Sequence, residues 1–179
     1  MRRALGAGVL IFAALAATGC GLLGGGEPPP TQAPKAEIGP DNHVKGAIAK
    51  AVQPYAGKEV YVDVLSLQRH DKVLRLVYAV TPRAKTDSDA LPKETFGGNW
   101  QSGNAGAPFL LDTENLRVYD SLTIGSGEDA RCACSTGLGD YPLDQPTVLY
   151  ADYPAPPKEV KELTVVMPVV GPMPGVKIS

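Results

Sequence analysis

The sequence predicts an all-β sandwich of about seven strands, preceded by one short helix. Three observations carry this. Between residues 58 and 179, apolar side chains recur with a period of two in short runs, as in half-buried strands. Clusters of Gly, Pro, Asp and Asn separate those runs, as turns separate the strands of a sandwich. Pro154-Ala155-Pro156-Pro157 breaks one run and Pro168, Gly171, Pro172 and Pro174 end the next, so the runs stay as short as strands. The stretch from 58 to 179 is long enough to bury a single core.

The chain starts with a different kind of segment. Arg2 and Arg3 are followed by fourteen uncharged residues, Ala4 to Ala17, and then Thr18-Gly19-Cys20. A charged start, an apolar run too short to span a bilayer and a small-residue ending make a secretory signal. With its terminal cysteine it resembles a bacterial lipoprotein signal, in which the cysteine is acylated and becomes the first residue of the mature protein. That resemblance implies a signal peptide over 1–19, lipidation at Cys20 and tethering to the outer side of a cell membrane. Residue 17 departs from the family pattern, being Ala where Leu is common. Cleavage after Ala14-Leu15-Ala16 is the alternative and gives a free secreted protein. Residues 20–40 then read as a spacer. Its glycines (21, 24, 25, 26, 39) are flexible and its prolines (28, 29, 30, 34, 40) are stiff, with a reach of about 60 Å at about 3.1 Å per extended residue.

The short helix is expected within 41–57. Asp41 caps it, Val44, Ile48 and Val52 recur at i, i+4 and i+8, and Pro54 stops it. From Lys58 the period becomes two. Val60, Val62 and Val64 alternate with Glu59, Tyr61 and Asp63; Gln68-Arg69-His70-Asp71 turns the chain; Leu74, Leu76, Tyr78 and Val80 then share a face. A long irregular stretch, 82–107, follows, and stretches of this length often carry function. Within it Phe96 and Trp100 are binding candidates, because aromatic anchors dominate many interfaces; the competing reading packs both rings into the core. Phe109-Leu110-Leu111 and Leu116-Arg117-Val118-Tyr119 are strands joined at Asp112-Thr113-Glu114-Asn115. Thr147–Tyr153 and Leu163–Met167 are two more, and Val176-Lys177-Ile178 is an edge segment.

The order Val60-Tyr61-Val62-Asp63-Val64, Leu74-Arg75-Leu76-Val77-Tyr78-Ala79-Val80-Thr81 and Phe109-Leu110-Leu111-Asp112 before a Tyr119 strand resembles secreted bacterial immunoglobulin-like domains of the telokin-like type. The ending, Tyr153-Pro154-Ala155-Pro156-Pro157, then Leu163-Thr164-Val165-Val166-Met167-Pro168 and Gly175-Val176, is similar too. The resemblance covers residues 58–179. It implies an immunoglobulin-like β-sandwich with an extracellular role and no defined activity.

Few motifs carry chemistry. Cys132 and Cys134 are the only cysteines besides Cys20, and in an oxidising compartment they are expected to form a disulfide. His43 and His70 are the only histidines and lie on separate elements, so no Cys/His metal site is expected. Gly125-Ser126-Gly127-Glu128-Asp129-Ala130 fits a dinucleotide-loop variant, but Cys132-Ala133-Cys134-Ser135 follows where a helix is required. Asp112, Glu114, Asp120, Asp140, Asp144 and Asp152 lie near strand ends, where clustered carboxylates can bind calcium and solvated turns do not. No cofactor is expected. A formal charge of −2, becoming −4 once Arg2 and Arg3 are removed, argues against nucleic acid as a partner.

These features point to a membrane-anchored, non-enzymatic module that binds an unknown protein or cell-envelope component. Two alternatives stand beside it: a structural or chaperone-like accessory of an envelope or export complex, and an extracytoplasmic enzyme whose site forms only in the fold.

Overall fold

The computed structural model describes residues 36–96 and 104–179. The signal segment, Cys20, the spacer up to residue 35 and Trp100 lie outside the described residues. Ten strands are described: β1 (Ala49–Tyr55), β2 (Lys58–His70), β3 (Val73–Ala84), β4 (Phe109–Asp112), β5 (Arg117–Tyr119), β6 (Thr123–Ile124), β7 (Arg131–Cys132), β8 (Thr147–Pro154), β9 (Glu162–Met167) and β10 (Gly171–Lys177).

The alternation from Lys58 and the run after His70 become the long antiparallel pair β2–β3, in register from Lys58↔Ala84 to His70↔Val73. Val60, Val62 and Val64, with Leu74, Leu76, Tyr78 and Val80 on the partner, are fully buried on one face. Leu67 is buried as well, although its odd spacing from Val64 would aim it outward in a regular strand. A register shift between Val64 and Ser66 absorbs Leu65 as a bulge and returns Leu67 to the core opposite Leu76.

Two four-stranded antiparallel sheets result, ordered β1-β2-β3-β8 and β10-β9-β4-β5, with β6–β7 as a small separate ribbon. Buried residues of both sheets form one core, including Leu110, Leu149, Leu163, Val165 and Met173. With β2, β3 and β8 as A, B and E, and β4, β5, β9 and β10 as C, C′, F and G, this is the strand order of an immunoglobulin-like sandwich with β1 added at an edge. The place of strand D, beside β8, is taken by a short segment after β7. Cys134 bridges Ala151, and Ser135 N–H donates to the Tyr150 carbonyl at 3.0 Å.

The helix expected within 41–57 does not form. Asn42 and Gly46 have φ of 67° and 78°, in the left-handed region that a right-handed helix does not admit. Ala56 and Gly57 (φ 47° and 70°) make a tight turn that folds residues 49–55 back onto β2. The i, i+4, i+8 set comes apart, with only Val52 of the three inside β1. Val44 is buried, Ile48 and Val52 are 52% and 41% exposed, and Ala49 and Ala51 pack against the core. Pro54 is accommodated because β1 is an edge strand. Gly57 is also held close. Its carbonyl accepts the N–H groups of Lys85, Thr86 and Asp87, and a Cβ there would lie 2.8 Å from that of Asp87.

Beyond the end of β1, the exposed edge of β2 is taken by Ser179, which donates its N–H to the Leu67 carbonyl and accepts from Arg69 N–H. The Arg69 guanidinium donates to the carbonyls of Pro156, Pro157 and Val160, fastening the β8–β9 connection.

Three large phenols cross the core and differ in one respect. Tyr78 donates to the Ala105 carbonyl at 3.1 Å and Tyr153 to the Pro108 carbonyl at 2.9 Å, whereas the Tyr141 hydroxyl is buried without a partner among the described residues. Burial pushes all three hydroxyls above their ordinary pKa. Tyr78→Phe and Tyr153→Phe are each expected to lower stability by about 1–2 kcal/mol in denaturant titrations, because each strands a buried carbonyl. Tyr141→Phe, which removes an unsatisfied group, is expected to be neutral or stabilising.

Candidate functional site

The polar side chains of the first sheet gather in two places on its outer face. The first is under the strap formed by residues 36–47. Asp63 belongs to the outward phase of β2, yet it is fully buried, because the strap crosses over it. One carboxylate oxygen lies 2.6 Å from His43 Nδ1, and the other accepts the Val44 N–H at 2.8 Å. The His43 ring stands edge-on to Tyr61 at 5.1 Å. Asn42 donates to the Tyr61 hydroxyl and accepts from Arg83, which also pairs with Asp144. A carboxylate on Nδ1 and a free Nε2 is how a base is oriented. Among the described residues no serine, threonine or cysteine bonds to His43, so the arrangement reads as a tie that holds the strap to the sheet.

The second place lies on β3 and β8. Arg75 and Asp152 are cross-strand partners. The guanidinium meets both carboxylate oxygens, at 2.7 and 2.8 Å, and stacks over the Tyr150 ring at 4.7 Å. The Asp152 pairing is the main cause that raises the pKa of Arg75. Arg75 and Tyr150 remain 45% and 37% exposed, and half-buried Val77 and Val148 lie beside them on the same face. The ion pair and the ring contact hold the cluster in one arrangement, so its side chains have little rotamer freedom left.

Asp152 also connects this face to the segment that replaces strand D. Its N–H donates to the Ala133 carbonyl at 2.9 Å, its carbonyl accepts from Leu122 N–H at 2.7 Å, and Ala133 N–H donates to the Leu122 carbonyl at 2.8 Å. Cys132 and Cys134 flank Ala133 and are joined as a disulfide.

The aromatic binding candidates fare differently. Phe96 ends a 3₁₀ turn, Lys93–Phe96, is fully buried, and meets Tyr141 edge-on at 5.6 Å. It closes the core and is no exposed anchor; the apolar ring gains more from the sandwich interior than from solvent. Trp100 is outside the described residues. The acidic residues do not gather into a cation site. Asp112 caps the β4–β5 turn through Asn115, Asp140 accepts the Lys93 N–H, Asp144 pairs with Arg83 and Asp152 with Arg75. Among the described residues no group of three or more His, Cys, Asp or Glu could hold a metal ion.

No family model matches this chain, and neither a curated protein nor a solved structure does. The fold and these clusters are therefore what a functional reading rests on.

The sequence signals for both clusters are weak. The Arg75–Asp152 pair follows from the β3–β8 register, which joins residues 77 apart. Asp63 looks like an ordinary solvent-facing strand residue, because the strap that buries it reads in the sequence as the end of a spacer, up to residue 40, and the start of a helix, from residue 41.

Phe96→Ala is expected to lower stability by about 3–5 kcal/mol, as for other large buried aromatics, measured by chemical denaturation. Two carboxylates are expected to respond to pH with opposite sign. Burial raises the pKa of Asp63 against the lowering bonds from Val44 and His43. Its contribution is therefore full below the ordinary carboxylate range and is lost as pH rises through the raised value, so the wild type should lose ground to Asp63→Asn as pH rises above that range. The Asn115 bonds lower the pKa of Asp112. Its contribution is present above the ordinary carboxylate range and is lost as pH falls below it, so the wild type's advantage over Asp112→Ala should shrink in acid. Melting temperatures measured from neutral pH down into acid check both; the same sign for the two variants overturns the assignment.

Proposed function

We propose that this chain is a lipid-anchored extracytoplasmic lipoprotein whose immunoglobulin-like sandwich binds a protein or cell-envelope component through the outer face of its first sheet. The observation that carries the binding reading is the Arg75–Tyr150–Asp152 cluster. Tyr and Arg are the residue types that most often dominate interfaces, and here both are half exposed and already oriented. The anchor rests on the sequence: Arg2-Arg3, the apolar run to Ala17 and Cys20, with a Gly/Pro spacer leading to the strap. A disulfide between Cys132 and Cys134 fits an oxidising compartment. Two acyl chains hold a protein stably at a membrane where one holds it only marginally.

Fractionation tests the anchor. Cys20→Ser is expected to move the protein out of the membrane fraction or leave it unprocessed; normal processing with membrane retention counts against lipidation. Crosslinking in intact cells tests the binding face. Tyr150→Ala and Arg75→Ala are each expected to reduce capture of the partner at least about tenfold, as loss of an interface hot spot does. Leu116→Ser, at an 88% exposed position of the β4–β5 turn, is the control and should capture normally. Equal capture by all three variants removes the face from consideration.

A further inference from the structure

We propose that the Cys132–Cys134 disulfide is a thiol–disulfide exchange site, and that its oxidation state decides whether the outer edge of β8 is covered. The inference stands on the fold and not on the anchor or the binding reading.

The first observation is what the bond constrains. It encloses a single residue, and a crosslink across so short a loop removes little freedom from the unfolded chain. Its effect is therefore local. Residues i and i+2 of an extended strand stand about 6.6–6.8 Å apart at 3.3–3.4 Å per residue. Here the two Cα atoms are 5.2 Å apart, so the backbone is drawn into a bend at Ala133.

The second observation is what the bend does. It lets the Ala133 carbonyl accept from Asp152 N–H while Ser135 donates to the Tyr150 carbonyl and accepts from Tyr150 N–H through its hydroxyl at 3.0 Å. These groups belong to the side of β8 that faces away from β3. Without the segment they are an open row of donors and acceptors, the kind of edge that accepts a strand from elsewhere.

The third observation is access. Cys132 is half-buried, and Cys134 is buried. Of the two sulfurs, that of Cys132 is therefore the one a reductant reaches, on the side not packed against Gly106.

The exchange partner is a dithiol. One of its thiolates attacks Cys132 Sγ, the S–S bond breaks, and Cys134 leaves as a thiolate and takes up a proton. The second thiol of the reductant then attacks the mixed disulfide, freeing Cys132 as a thiol. Two electrons and two protons pass to the cysteines, and the reductant departs as its own disulfide. The Ala133 bend then relaxes and β8 loses its cover. Because Asp152 belongs both to that edge and to the Arg75 pair, the change reaches the outer face as well.

The test uses the full chain in detergent micelles with excess dithiothreitol under native conditions. Iodoacetamide labelling should find two thiols at residues 132 and 134. Hydrogen exchange at the amides of Ala133, Ser135, Tyr150 and Asp152 should accelerate at least tenfold, the amides of Val62 and Val80 should be unchanged, and reoxidation should restore the original rates. The Cys132→Ser, Cys134→Ser double variant should show the fast pattern without reductant. Three results overturn the proposal: a disulfide that resists the dithiol while the protein is folded, reduction with unchanged exchange along β8, or acceleration that spreads to Val62 and Val80.

Discussion

The β2–β3 ladder is the constraint on which the rest of the molecule depends. Every other part of the first sheet is placed by it. β1 and Ser179 divide the free edge of β2 between them, and β8 takes the free edge of β3. The Leu65 bulge keeps the ladder continuous while turning the core face through its second half. Val64 and Leu67 therefore both point inward, and one apolar surface runs the full length of the pair. The second sheet closes onto that surface, its Leu110, Leu163, Val165 and Met173 completing the core.

The outer face of the same ladder is divided in its use. At one end the strap covers it, burying Asp63 and Tyr61 and pairing their polar atoms with His43, Val44 and Asn42. A buried carboxylate costs several kcal/mol if left unpaired, so the paired Asp63 fixes where the strap can lie. At the other end Arg75, Tyr150 and Asp152 stay in reach of solvent and brace one another. The same β-sheet pleat thus yields a sealed polar junction and an open, rigid polar surface.

Much of the fold was legible in the sequence because period-two alternation is a local signal. Val60 to Val64, Leu74 to Val80, and the strands around Leu110 and Leu149 read correctly for that reason. The error lay at residues 41–57, where Val44, Ile48 and Val52 imitate a helix face. The decisive information there was backbone conformation at Asn42, Gly46, Ala56 and Gly57, together with pairing to β2, which no short window contains. The candidate site was less legible still. Cys132 and Cys134 announce themselves, being two cysteines with few alternatives. Arg75 and Asp152 meet only because β3 and β8 are neighbours, and Asp63 is buried only because a distant strap crosses it. Phe96 was visible as an aromatic in a long loop, but its partner, Tyr141, was not.

The strap also determines how the domain meets mechanical load. A pull on the chain at residue 36 does not arrive first at the β1–β2 ladder, whose end at Ala49 would open one hydrogen bond at a time. It arrives at residues 36–47, where Asp63 grips two successive residues, His43 and Val44, and the Val44 side chain is buried beneath them. The tie takes the strain before the ladder does, as a knot ahead of a seam keeps the stitching from running. A load applied at the N-terminal side of this domain meets the Asp63 tie ahead of the hydrogen bonds of the β1–β2 ladder.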